Sequence, residues 1–502
     1  MENLIQITGL EPGSLLKPGV PEPVVSCDPP ARVNPTLPNA FREPLEAPFS
    51  GAIGWISLGC PKNLVDSEGM LGGLAAAGYR VTSNIDDADA VVVNTCGFID
   101  AAREESLGVL RESLGTNARG ERRRVIAVGC LAQRMGSEMF SAVSGLDAVV
   151  GMGRQDELPE VLTRVLEGNP GSAGQLRVFS PTHYFPRPEA RVRLTQPWTS
   201  YVKISDGCDN PCTFCSIPLM RGKMRSRSID DVEAEVRFLA AQRVQEIILI
   251  AQDSTHYGDD RRGPGNEEAD IAALLRRLAR VDGPRWIRLM YAYPTRVNDR
   301  LIEVLAEEDR ICKYIDMPLQ HASDPVLLAM KRPGTADSYL RLIQRLRNAC
   351  PDITLRTTMI LGFPGETDDD FERLLSFVDT AQFDRLGAFR YSPEAGTPAA
   401  SLDAVVPAAV VEERYDRLML LQQHISLERG RRWIGQSMPV LLEGRRSDGA
   451  LVCRSERDAP DIDGRVFVKG PGSRKDVTPG SFLDVTITSA EPYDLVARAH
   501  FS

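Results

Sequence analysis

The chain is 502 residues long, 42% hydrophobic and 25% charged, ordinary for a folded globular protein and long enough for about three domains. Its net charge of −10 argues against a chain whose main task is gripping phosphate backbones, and leans toward a small-molecule or basic protein substrate. No apolar run approaches the ~20 residues that span a bilayer, and the first ten residues lack the features of a secretory signal. The expectation is a cytoplasmic protein with no membrane partner.

Residues 1–48 carry ten prolines and no periodicity, so they read as a disordered extension. From 51 to 166 short β-rich runs (53–58, 90–94, 125–129) alternate with helical patterns (67–78, 101–114, 156–166), the signature of an open parallel α/β domain. The Gly-, Pro- and Arg-rich stretch 167–197 reads as a linker. From 198 to 433 six strand patterns (201–205, 246–251, 286–291, 314–317, 354–360, 385–391) are separated mostly by helices such as 229–242, 271–280 and 370–380. This predicts a partial (β/α)6 barrel whose functional loops lie at the C-terminal strand ends, followed by a long helix near 410–433. Residues 436–502 hold short strands (438–442, 466–469, 482–487, 494–499) between Gly and Pro, which predicts a small antiparallel β-barrel.

Ten cysteines in a reducing compartment are not a disulfide framework, so their placement matters. Cys208, Cys212 and Cys215 stand at i, i+4 and i+7 just after the first barrel strand. Three thiolates hold three irons of a 4Fe–4S cube and leave the fourth iron open. S-adenosylmethionine can chelate that iron through its amino and carboxylate groups, and a reduced cluster can then cleave it to a 5′-deoxyadenosyl radical. Zinc would require a fourth ligand at set spacing, and the first histidine downstream is His256. Phe214 either shields the cluster or simply packs. Gly362, Gly365 and Glu366 close the 354–360 strand, at the edge where a cofactor would be lined. Thr367 and Asp368 to Asp370 read as a capping box rather than catalytic acids. Gln252, Asp253 and Arg356 are further candidate cofactor contacts.

Cys60, Cys96 and Cys130 each follow a predicted parallel strand. In an open α/β sheet those ends share one crevice, and Gly59, Gly97 and Gly129 leave room for a bulky inorganic group. Spacing alone leaves two readings open, a second cluster with an open iron or three buried cysteines. Cys27, Cys312, Cys350 and Cys453 are scattered and read as small buried or incidental residues.

The stretch Gly59-Cys60-Pro61-Lys62-Asn63-Leu64-Val65-Asp66-Ser67-Glu68, with Asn94-Thr95-Cys96-Gly97 and Val128-Gly129-Cys130, resembles the N-terminal domain of radical S-adenosylmethionine methylthiotransferases. The triplet and Gly362-Phe363-Pro364-Gly365-Glu366 resemble their radical domain, and the end resembles their TRAM domain. Stretches 201–208, 217–227, 317–323 and 391–397 resemble the RimO branch rather than the tRNA-modifying MiaB branch. The resemblance implies two 4Fe–4S clusters, on Cys60, Cys96 and Cys130 and on Cys208, Cys212 and Cys215, and two S-adenosylmethionine per turnover. It implies methylthiolation of an aspartate β-carbon in ribosomal protein twelve of the small subunit, an electron donor such as flavodoxin or ferredoxin, and a monomer; the sulfur donor stays unidentified. Residues 436–502 carry nine Lys and Arg against ten Asp and Glu, with Asp458, Asp461 and Asp463 close together, which suits a basic protein partner better than RNA. The competing readings are a tRNA methylthiotransferase and a non-catalytic iron–sulfur carrier or scaffold, whose irons would all be ligated.

Overall fold

The computed structural model describes residues 51–168, 174–262, 269–469 and 477–500; the proline-rich start lies outside them. The chain forms two compact units, one built from residues up to 97 with 101–179 and 190–194, the other from the remainder.

The first unit is a parallel sheet of six strands: β1 (Ala52–Ser57), β2 (Arg80–Thr82), β3 (Ala90–Thr95), β4 (Arg124–Gly129), β5 (Ala148–Val150) and β6 (Gln175–Arg177), in the order β2-β1-β3-β4-β5-β6. Val91 to Val93 and Val125 to Val128 are buried in near-continuous apolar runs, because both faces of the sheet are covered. Pro61–Ala76 and Leu158–Glu167 cover one face through Met70, Leu74, Val161 and Val165, and Asp100–Ser113 covers the other through Leu107 and Leu110. The chain reverses its direction of travel across the sheet between β1 and β3, which opens a crevice at their C-terminal ends.

Two expectations differ here. The first helix begins at Pro61, six residues earlier than its pattern indicated. Lys62, Asn63, Asp66, Ser67 and Glu68 are buried, so its first two turns carry polar residues inward and hide the apolar period. The stretch 167–197 is more than a linker: β6 extends the sheet, and Arg191, Val192 and Leu194 bond to Glu68 on the first helix.

In the second unit β7 (Thr199–Lys203), β10 (Glu246–Ile250) and β11 (Trp286–Leu289) form one parallel sheet, and β12 (Tyr314–Asp316), β13 (Thr354–Leu361) and β14 (Arg385–Arg390) form another. A lone parallel bridge from Ile287 to Ile311 joins the two, giving a six-stranded partial barrel around one large apolar core. A small ribbon, β8 (Ser205–Asp206) with β9 (Arg225–Ser226), follows the first barrel strand.

The last strands are β15 (Ser437–Arg445), β16 (Leu451–Ser455), β17 (Val466–Val468), β18 (Phe482–Ala490) and β19 (Leu495–Ala499), closed as β15-β16-β17-β19-β18. The expected antiparallel barrel therefore contains one parallel pair, β17 with β19. Sequence patterning missed β16, where Leu451 to Ser455 are all buried and Arg454 interrupts the alternation.

This small barrel sits beneath the N-terminal ends of the large barrel's strands. Glu246, the first residue of β10, is pinned by Arg288 (2.9 Å) and by both terminal nitrogens of Arg454. Tyr314 donates to Asp463 (2.7 Å), Arg385 pairs with Asp458, and Trp286 stands edge-on to Phe482 at 4.7 Å. Asp458 and Asp463 are thus used internally, which overturns the expectation that they face a basic partner. Among the described residues no helix is long and apolar enough to cross a membrane.

Candidate functional site

Cys60, Cys96 and Cys130 follow β1, β3 and β4, three adjacent strands, at the edge where the sheet reverses. Cys60 is the N-cap of the first helix and Cys130 opens another. The turns are crowded. A Cβ on Gly59 (φ +88°) would lie 2.8 Å from Cys96 Sγ, and one on Gly129 (φ +96°) would strike Asn94. Asn63 laces the turns together, its Nδ2 donating to Leu58 O (2.9 Å) and Thr95 O (3.1 Å) while its Oδ1 lies 3.9 Å from Cys130 Sγ. Asn94 donates to Asn63 O and Ser67 Oγ, both at 2.8 Å, and Ser106 holds both backbone groups of Cys96.

Cys208, Cys212 and Cys215 lie on the loop after β8. Cys208 N donates to Gly222 O (3.1 Å) and Cys215 N to Cys212 O (3.2 Å). Thr213 N donates to Met330 O (3.0 Å) and Thr213 O accepts from Ala399 N (3.0 Å), which fastens a loop following the first barrel strand to the chain beyond the last one. Phe214 packs against the cluster of Val326, Met330, Phe363 and Ala399, as Tyr391 does, so one of the two residues between the last two cysteines contributes to an apolar wall. Burial pushes the Cys208 thiol up to about 11 and Cys215 up to about 12, and the neighbouring thiols add to both shifts.

Asp206 is the hub beneath this loop, accepting from Lys203 (3.0 Å), Arg221 (3.0 Å) and Gln252 (2.9 Å). Burial opposes its charge, yet Lys203 and Arg221 hold it well below the usual carboxylate range. Gln252 keeps a buried Oε1 without a hydrogen-bond partner, and Asp253 binds Asn210 of the cysteine loop (2.9 Å) and Arg296 (2.7 Å). Gly362 (φ +75°) turns the chain at the end of β13, and its N–H donates to Glu366 Oε2 at 2.8 Å. Glu366 also accepts from Arg414 (2.7 Å), so it holds the turn's shape from a buried position. Thr367 and Asp370 form the expected capping box. Arg356 is a correction: it is the third residue of β13 and binds Asp316 (2.8 Å) and Asp463 (3.3 Å), and so belongs to the seam with the small barrel.

Comparison with known proteins matches each part of this arrangement. Family models match at residues 202–378 (Radical SAM superfamily), 53–151 (Uncharacterized protein family UPF0004) and 434–499 (TRAM domain). A protein of Desulforamulus reducens described as "Ribosomal protein uS12 methylthiotransferase RimO" is 45% identical over 89% of this chain and 99% of its own length. The protein so described from Anaeromyxobacter sp. is 45% identical over 88% and 92%. The chain belongs to the RimO family.

It is a radical S-adenosylmethionine methylthiotransferase. Among solved structures, the radical S-adenosylmethionine methyltransferase TsrM of Kitasatospora setae matches 70% of this chain and 77% of its own, with a TM-score of 0.51 and 16% identity, a likeness of fold alone. The residues of this RimO-family enzyme fit iron–sulfur clusters on grounds of their own: each triplet offers only thiols, and the absence of a side chain at Gly59 is what lets Cys96 Sγ stand beside the turn that carries Cys60. Among the described residues no three His, Cys, Asp or Glu side chains close on a single-ion position, and a cube with one iron per thiolate asks for no such cage.

Sequence reasoning passed over Asn63, Ser106, Tyr293 and Arg332. Arg332 Nη1 lies 3.7 Å from Cys212 Sγ, and its guanidinium stacks 4.0 Å from the centre of the Tyr293 ring. Nothing in the sequence flags Arg332, since it lies over a hundred residues from the triplet. Tyr291 and Gln320, after β11 and β12, hold positive φ (64° and 78°), strain of the kind concentrated at functional edges.

Proposed function

We propose that this enzyme inserts a methylthio group at the β-carbon of an aspartate in ribosomal protein uS12. One 4Fe–4S cluster sits on Cys208, Cys212 and Cys215, a second on Cys60, Cys96 and Cys130, and each turnover uses two S-adenosylmethionine. The observation that carries the reading is the second triplet: three cysteines on three adjacent strand ends, in a unit separate from the one that holds Cys208, Cys212 and Cys215. When bound, the clusters and S-adenosylmethionine supply hydrogen abstraction from an unactivated carbon and delivery of a methylated sulfur.

The chain's own residues prepare those sites. Asn63, Asn94 and Ser106 fix the three N-terminal turns against one another before any iron arrives. Asp206, Lys203 and Arg221 hold the base of the radical loop, and Phe214, Phe363 and Tyr391 keep water from its flank. Gln252 Oε1 offers a buried acceptor that suits the amino group of S-adenosylmethionine, and Gly362 to Glu366 line the same edge.

The relatives' described substrate supports uS12. So does the near-neutral C-terminal barrel, because Arg454 and Arg457 are turned inward and are lost to any phosphate-binding surface. The reading also includes a cytoplasmic monomer supplied by a one-electron donor of the flavodoxin or ferredoxin class. The test is mass spectrometry of uS12 and tRNA from cells with and without this chain. Methylthio lost from uS12 on deletion is expected; loss from tRNA alone would transfer the enzyme to the tRNA-modifying branch.

A further inference from the structure

Arg332 is 7% exposed, and among the described residues no carboxylate pairs with it. Its Nη2 donates to Pro318 O, its Nη1 faces Cys212 Sγ, and its Nε is buried without a partner. A buried guanidinium lacking an opposite charge is strongly destabilising, and stacking on Tyr293 offsets only part of that. Yet the fold goes out of its way to put the cation there. Lys331, immediately before it, holds φ +51°, a conformation disfavoured for a side-chain-bearing residue, and Met330 O accepts from Thr213 N inside the cysteine loop. The end of the Asp324–Ala329 helix is therefore bolted to the loop that Arg332 must reach.

A cube held by three thiolates carries net negative charge, and more once it has accepted an electron. We infer that Arg332 is the counter-ion of the cluster on Cys208, Cys212 and Cys215, and that it makes one-electron reduction of that cluster easier. The inference rests on the assignment of that cluster proposed above. Arg332 is a positioning residue here, acting through Cys212 and the cluster's charge. Its cation favours the more negative, reduced state, so removing it shifts the midpoint potential downward.

The test compares wild-type protein with Arg332→Gln and Arg332→Lys, each as cluster-free protein and after anaerobic reconstitution, using dithionite as the reductant. Three quantities are read: iron per chain, thermal midpoint with and without cluster, and midpoint potential from electron paramagnetic resonance. Without cluster, Arg332→Gln melts at or above wild type, since it removes an uncompensated buried charge. Loaded, it gains less from the cluster than wild type does and its potential is more negative, with Arg332→Lys in between. If Arg332→Gln folds but fails to hold the radical cluster, that also supports the counter-ion role. Equal potentials and equal thermal gains overturn the inference, as does a cluster-free Arg332→Gln that no longer folds, which would mark a structural role. Wild-type protein that takes up no iron at the triplet defeats the cluster assignment instead, so the two failures are distinguishable.

Discussion

Gly59→Ala puts the crowded turn before Cys60 to the test. Gly59 lies at φ +88°, and an added Cβ would come within 2.7 Å of Cys96 Cβ and 2.8 Å of its Sγ. A left-handed backbone costs a residue with a side chain about 1–2 kcal/mol. Forcing a methyl group into packed atoms costs about 1–3 kcal/mol more. The sum, about 2–5 kcal/mol, falls on the turn that presents Cys60 and on the thiol of Cys96, and corresponds to a loss of cluster affinity of about 30-fold to 4000-fold. Reconstituted anaerobically, the variant is expected to carry about four irons per chain in place of about eight. It should still form 5′-deoxyadenosine, because Cys208, Cys212 and Cys215 belong to the other unit, but methylthio transfer to uS12 should be lost. Gly73→Ala is the control: it lies in the first helix, where an added Cβ meets nothing within 4 Å, and should change neither readout. Full iron loading and full methylthio transfer in Gly59→Ala would refute the account of the three turns as one cradle.

Changing Cys60, Cys96 and Cys130 together to alanine should abolish methylthio transfer and spare 5′-deoxyadenosine, whereas Cys208→Ala should abolish both; product chromatography separates the cases. Asn63→Ala removes two buried hydrogen bonds that tie Leu58 to Thr95, so a loss of about 2–4 kcal/mol in denaturant unfolding and poorer iron loading at the N-terminal site are expected. Glu246→Gln leaves Arg288 and Arg454 buried without their shared carboxylate and should cost about 3–5 kcal/mol, read from the fluorescence of Trp286 and Trp433. Burial pushes the Glu246 carboxyl up, but Arg454 and Arg288 outweigh it and hold it below its usual range. Its contribution is thus present above the ordinary glutamate pKa and lost as pH falls through the lowered one, so the penalty of Glu246→Gln should be full at neutral pH and shrink in strong acid.

Much of this architecture is written locally. The valine runs of β3 and β4 declare strands buried on both faces, and a cysteine after each needs only the rule that parallel strand ends converge. The radical triplet is legible because its three ligands lie within eight residues. What escaped is long-range. Arg332 acquires meaning only once its helix is bolted to the cysteine loop, and Arg356, within the 354–360 strand, reads as a candidate cofactor contact until Asp463, 107 residues later, folds beneath it. Asp458 and Asp463 read as a surface charge cluster because sequence shows the charges but not the arginines they will meet. The early start of the first helix was hidden for a related reason, since its buried turns are polar and serve the cysteine turns rather than the core.

The floor of charged pairs under the large barrel has a mechanical consequence. Glu246, Tyr314 and Arg385 each begin a different strand, and each is clamped by a residue of the small barrel. The C-terminal module is therefore welded to the catalytic frame at several points instead of swinging from a hinge.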